Sequence, residues 1–156
     1  MAINKGKLFE ERFKQDFIES FPNGTIDRIY DVVSGYKAIS NISDFIGYNC
    51  PNIFYLECKS HKGASIPFVN ITQYDKLKRK VGIPGVRAGI ILWLREKDVI
   101  YYIPISTITK MKQEGKKSVG VQAYKDGYNI KLIPTRKLKT FLKGDYSVLS
   151  SLEEGE

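Results

Sequence analysis

The sequence predicts an α+β fold in which a mixed central β-sheet is flanked by helices. Three observations carry this. Apolar residues recur at helical spacing between Lys7 and Phe21, two strongly apolar runs at 87–96 and 98–106 read as paired strands, and a helix-spaced stretch at 71–81 separates them from an earlier strand at 53–59. A chain of 156 residues suffices for one domain, burying roughly two-thirds of the surface that its unfolded form exposes. The expected organisation is a single domain over 1–150, followed by a flexible acidic tail at 151–156.

Taken in order, Leu8, Phe9, Phe13, Phe17, Ile18 and Phe21 fall on one helix face, and Pro22-Asn23-Gly24 stops the pattern. Residues 25–34 alternate weakly and read as a short strand or helical turn. After a connecting segment, a strand enters at Asp44-Phe45-Ile46. Gly, Asn and Pro cluster at 47–52 as turn chemistry, so that strand and 53–59 form a hairpin. Ile71, Tyr74, Leu77 and Val81 share a helix face, ended by Gly82, Pro84 and Gly85. The run at 87–96 is apolar enough for a strand covered on both sides. "TITKMKQEGKK" reads as a short basic helix. "VGVQAY" and "YNIKLI" read as a second hairpin through Lys125-Asp126-Gly127, and Leu138, Phe141 and Leu142 as a last short helix.

A net charge of +8 favours polyanionic partners, nucleic acid first among them. Two cysteines outside any CxxC pair and a single histidine argue against a Cys/His zinc site and against a histidine-based triad. Met1 runs straight into a charged amphipathic stretch and no run of 18 apolar residues occurs, so the expectation is a reduced cytoplasmic protein without a membrane span.

In "FYLECKS", at 54–60, strand alternation places Glu57 and Lys59 on one face and turns Cys58 to the other. Pairing across the 47–52 turn brings Asp44 near Glu57. Two converging carboxylates suit a hard divalent cation, and an adjacent lysine can orient water and balance charge developing on a phosphoryl group. The bland alternative is a solvated hairpin with an ion pair worth at most about 1 kcal/mol.

The order Asp44, Glu57-x-Lys59 matches the motif of the PD-(D/E)xK nuclease superfamily, with Ser43 where many members carry proline. With its flanks "NKGKLFEERF" at 4–13, "SDFIGYNCPNIFYLECKS" at 43–60, Pro67-Phe68, "NITQYDKLK" at 70–78 and "GIILWLREKDVIYYIPISTI" at 89–108, the chain resembles the RecU-type Holliday junction resolvases, bacterial or phage. The resemblance covers roughly 4–110. Lys5 replaces the arginine of the family's Asn-Arg-Gly, and residues 28–43 occupy the position of a projection that enters the junction centre.

The resemblance implies a restriction-endonuclease-like core and a homodimer that resolves four-way DNA junctions by paired incisions, with Mg²⁺ as cofactor and Mn²⁺ as a substitute. It assigns the metal to Asp44 and Glu57, water positioning to Lys59, and supporting catalytic roles to Glu10 (Glu11 as fallback) and Gln73. Candidate DNA contacts are Lys5, Tyr36, Lys37, His61, Lys62, Lys76, Arg79 and Lys80, with Lys78 in the same basic run. Lys110, Lys112, Lys116 and Lys117 form a second basic cluster. Phe9, Phe13, Phe17 and Trp93 are expected in the core. A sequence-specific restriction-type endonuclease and an inactive DNA-binding relative are the alternatives.

Overall fold

The computed structural model describes residues 4–34, 37–39 and 41–156, with backbone alone at 32–34 and 37–39. Helix α1 spans Lys5–Ser20, and Asn4 caps it by accepting the Lys7 N–H at 3.0 Å. Phe9, Phe13 and Phe17 are buried along α1, whereas Leu8 and Ile18, which share their spacing, are exposed. The apolar stripe that packs is thus narrower than the periodicity suggests.

The strands are β1 (Thr25–Arg28), β2 (Val32–Ser34), β3 (Lys37–Ile39), β4 (Phe45–Asn49), β5 (Asn52–His61) and β6 (Ser65–Pro67). Then follow a 3₁₀ turn at Phe68–Asn70, α2 (Tyr74–Lys78), β7 (Val86–Leu94), β8 (Val99–Pro104), α3 (Ile105–Gln113), β9 (Ser118–Gly120) and α4 (Val121–Lys125). Strands β10 (Lys131–Ile133), β11 (Thr135–Lys137) and β12 (Leu142–Gly144) and a 3₁₀ segment at Tyr146–Ser151 complete the chain.

Six strands form the main sheet in the order β1-β4-β5-β7-β8-β10. Only β5 and β7 pair in parallel, so the sheet is mixed, as expected. One face packs on α1 through Phe54, Leu56, Cys58, Ile91 and Tyr102. The other packs Ile90, Leu92 and Ile103 against Phe68, Tyr74, Leu77 and Ile108 from α2, α3 and the 3₁₀ turn. Burial on both faces explains the nearly unbroken apolar run of β7. Trp93, half-buried, stacks at a tilt on Phe9.

Several local expectations are corrected. The turn expected over 47–52 narrows, because β4 continues to Asn49 and pairs with Asn52. The helix expected at 71–81 is only five residues long, after Ile71 leaves helical geometry at φ −95°, ψ 76°. No hairpin joins 119–124 to 128–133. Residues 121–125 are the helix α4, β9 pairs with β6, and β10 joins the main sheet beside β8. The close approach of β9 needs glycine, since a Cβ on Gly120 falls 2.1 Å from the Ala64 carbonyl oxygen. The last helix expected near 138–142 is instead the β11–β12 ribbon.

Residues 152–156 pack on the sheet. Leu152 is buried, the guanidinium of the buried Arg87 donates to the Glu153 carbonyl at 2.7 Å, and Ser106 donates to the Gly155 carbonyl at 2.9 Å.

Candidate active site

The β4–β5 register, with Phe45 opposite Leu56, carries Asp44 to a point beside Glu57. The two carboxylates are each held by a backbone N–H from across the hairpin. The Asp44 N–H donates to Glu57 Oε2 at 3.0 Å, and the Cys58 N–H donates to Asp44 Oδ2 at 2.9 Å. Lys59 stands on the same strand face as Glu57, with Nζ 3.4 Å from Glu57 Oε1. Cys58 points the other way into the α1 core, and burial pushes its thiol well above the ordinary range, reinforced by Asp44, Glu57 and Glu10. That thiol is no nucleophile.

A residue the sequence reading missed joins the group. Arg28, the last residue of β1, donates to Glu10 Oε2 at 3.0 Å and to Asp44 Oδ1 at 3.1 Å. Its guanidinium also lies 5.3 Å from the ring centre of Tyr30 and 5.5 Å from that of Phe45. β1 pairs with β4, setting Arg28 opposite Phe45. The available signal was an arginine closing a short strand, but only knowledge of which strand it pairs with gives it meaning.

Electrostatics separate the carboxylates. The Glu57 side chain is only 5% exposed. Desolvation, then repulsion from Asp44, raises its pKa to about 7 against the opposing pull of Lys59. Glu10 is raised too, by burial first and then by Asp44, while Arg28 and Lys59 oppose the shift. The cluster therefore carries more negative charge than its surroundings readily hold.

Asp44 and Glu57 fit a divalent cation as a two-carboxylate set. Each of their four oxygens meets a donor or cation, and each has lone-pair capacity left. Mg²⁺ is commonly bound by one or two carboxylates plus waters and substrate oxygens. Among the described residues no group of three or more His, Cys, Asp and Glu side chains is arranged to hold a metal, and Glu10 is engaged by Arg28.

The other candidates are spread more widely. Gln73 is half-buried at the start of α2 and has no hydrogen bond to the acidic pair among the described residues. His61 ends β5, half-buried, two residues beyond Lys59. Lys62 faces Glu96 at 3.8 Å. Lys80 lies over the ring of Tyr55, which shares the strand face of Glu57, with 5.1 Å to the ring centre. Lys76 lies on α2 and Arg79 just past its end. Lys5 and Glu11 are exposed on α1. Lys112 sits 3.9 Å above the Tyr74 ring, and Lys110 over Tyr128. Lys37 belongs to β3, which pairs with β2 among the described residues, and Tyr36 lies outside them.

No protein-family model matches the chain, and no curated protein matches it at a significant level. Among solved structures, the chain is similar to Hjc, a Holliday junction resolvase from the archaeal hyperthermophile Archaeoglobus fulgidus. The TM-score is 0.58 at 14% identity, and the match covers 79% of this chain and 94% of that one. The likeness establishes the fold as a restriction-endonuclease-like core.

Proposed function

We propose that this chain is a metal-dependent, structure-selective endodeoxyribonuclease of the RecU type that resolves four-way DNA junctions as a homodimer. The observation that carries the reading is the convergence of Asp44, at the entry to β4, with Glu57 and Lys59 of β5, the two carboxylates tied across the hairpin by backbone N–H groups. The fold shared with a solved Holliday junction resolvase supports it. So does the basic charge, which favours a polyanionic substrate, and the acidic pair beside Lys59 calls for a cation, because carboxylates otherwise repel phosphate. A junction is two-fold symmetric, and a dimer with two sites matches it.

Asp44 and Glu57 hold the cation, Mg²⁺ with Mn²⁺ as a substitute, which when bound supplies Lewis-acid stabilisation of charge at the scissile phosphate. Lys59 orients the attacking water and offsets the negative charge that grows on the phosphoryl oxygens. Arg28 keeps Asp44 in place and draws Glu10 to the rim. In-line attack by water forms one P–O bond and breaks the bond to the 3′ oxygen, leaving a 5′-phosphate and a 3′-hydroxyl. Lys5, Lys37, His61, Lys62, Lys76, Arg79 and Lys80, with Tyr36, serve as DNA contacts, and Gln73 supports the phosphate.

The test is cleavage of a labelled synthetic four-way junction beside linear duplex of the same sequence, with Mg²⁺ or EDTA, by wild type and Glu57→Gln. Paired symmetric nicks in the junction alone, lost with EDTA or the substitution while binding persists, are expected. Equal cutting of the duplex refutes structure selectivity. Binding without cutting refutes the nuclease reading.

A further inference from the structure

Helix α1, the end of β1 with the segment after it, and Phe45 line an open cavity of about 380 Å³ directly beside the acidic cluster. Glu10 and Arg28 belong to both, so whatever fills the cavity lies next to the reacting centre. Tyr30 forms part of its rim and is 73% exposed. The Arg28 guanidinium lies within cation–π distance of both Tyr30 and the buried Phe45, and the tyrosine ring stays largely open to solvent. Lys7 and Lys14, seven residues apart on α1, line the same cavity. They lie roughly 10 Å apart along the helix axis. Neither ammonium forms an ion pair with a described carboxylate, whereas Glu10 is paired to Arg28. With Glu11 counted, three cations face two carboxylates.

An open aromatic face flanked by uncommitted ammonium groups is the chemistry that receives a nucleotide whose base is not stacked in a duplex. We propose that this cavity is a nucleotide subsite, in which an unpaired DNA base stacks on Tyr30 while Lys7 and Lys14 hold the neighbouring phosphates. The inference rests on the junction-nuclease reading and adds to it a means of telling a branch from a duplex. Extruding a base costs least where it is already unstacked, as at a branch point. A continuous duplex keeps its bases out of reach of Tyr30.

Wild type, Tyr30→Ala, Tyr30→Trp and Lys7→Gln/Lys14→Gln are titrated, in EDTA to keep the DNA intact, with a fluorescent four-way junction and with linear duplex of the same sequence. Tyr30→Ala is expected to bind the junction about tenfold more weakly, with duplex affinity within about twofold of wild type. Tyr30→Trp retains junction affinity. The double lysine variant lowers the slope of log K against log salt by about 2. Tyr30 is exposed, so the variants fold, and unchanged circular dichroism verifies this. If Tyr30→Ala leaves junction affinity unchanged, weakens duplex and junction equally, or is matched in its loss by Tyr30→Trp, the subsite is refuted while the nuclease reading stands. If wild type binds neither DNA, the nuclease reading falls and takes the subsite with it.

Discussion

Neutralising Glu57 should stabilise the metal-free protein while removing its activity. In the fold this carboxyl titrates at about 7 against an ordinary value of 4.5. The folded state therefore holds a proton that the unfolded chain has already released. The contribution of this carboxyl to stability is fully present below about 4.5, falls as pH rises, and is lost once pH passes about 7. The shift corresponds to about 3 kcal/mol. Glu57→Gln keeps an oxygen for the Asp44 N–H and removes the charge, but turns an amide toward Lys59, so part of the gain is lost. For a chain of this size the remainder raises Tm by about 5–10 °C at pH 8 in EDTA. The assay is thermal unfolding of both proteins at pH 4.5, 6 and 8, without divalent cations and then with Mg²⁺. The gap between variant and wild type should open with pH, and Mg²⁺ should narrow it by stabilising wild type alone. A gap independent of pH, or a variant less stable than wild type at pH 8, refutes the reasoning.

Three further outcomes are expected. Lys59→Met should lower cleavage by about 100-fold or more while leaving junction affinity within severalfold, read from single-turnover rates and gel shifts. Asp16→Ala should destabilise by about 3–5 kcal/mol in urea unfolding, because this buried carboxylate receives the Gly144 N–H at 3.0 Å and pairs with Arg12 at 2.7 Å. Gly120→Ala should cost about 1–3 kcal/mol, since its methyl meets the Ala64 backbone and β9 must separate from β6. A neutral result would show that this small sheet tolerates displacement.

What the sequence disclosed follows the range of the interactions involved. Glu57 and Lys59 could be placed on one face by strand alternation alone, and Asp44 came with them because a short turn fixes the register of its hairpin. The α1 core was legible from the spacing of Phe9, Phe13 and Phe17. Arg28 was not, since its role depends on β1 lying beside β4 across a long insertion. Residues 119–133 were misread for a similar reason. Their alternation suits a hairpin, yet β9 finds its partner at 65–67 and β10 finds β8, so tertiary pairing overrides local pattern. At 138–142 the apolar spacing is satisfied by a ribbon that places the buried Leu142 against the α1 core.

The insertion between β1 and β4 is closed at its base by Asp44 itself. Ile29 donates its N–H to the Asp44 carbonyl at 2.8 Å, Arg28 grips both the carbonyl and the carboxylate of Asp44, and the Asn41 N–H meets Asp31 Oδ1 at 2.8 Å. The chain thus leaves and re-enters the sheet through a fastened neck. Lengthening, shortening or exchanging the ribbon above that neck should leave the spacing of Asp44, Glu57 and Lys59 untouched. On the proposed reading, exchanging this ribbon for that of a relative should change the form of DNA cleaved while the Asp44, Glu57 and Lys59 chemistry persists, which makes it the unit to graft when substrate choice is re-engineered.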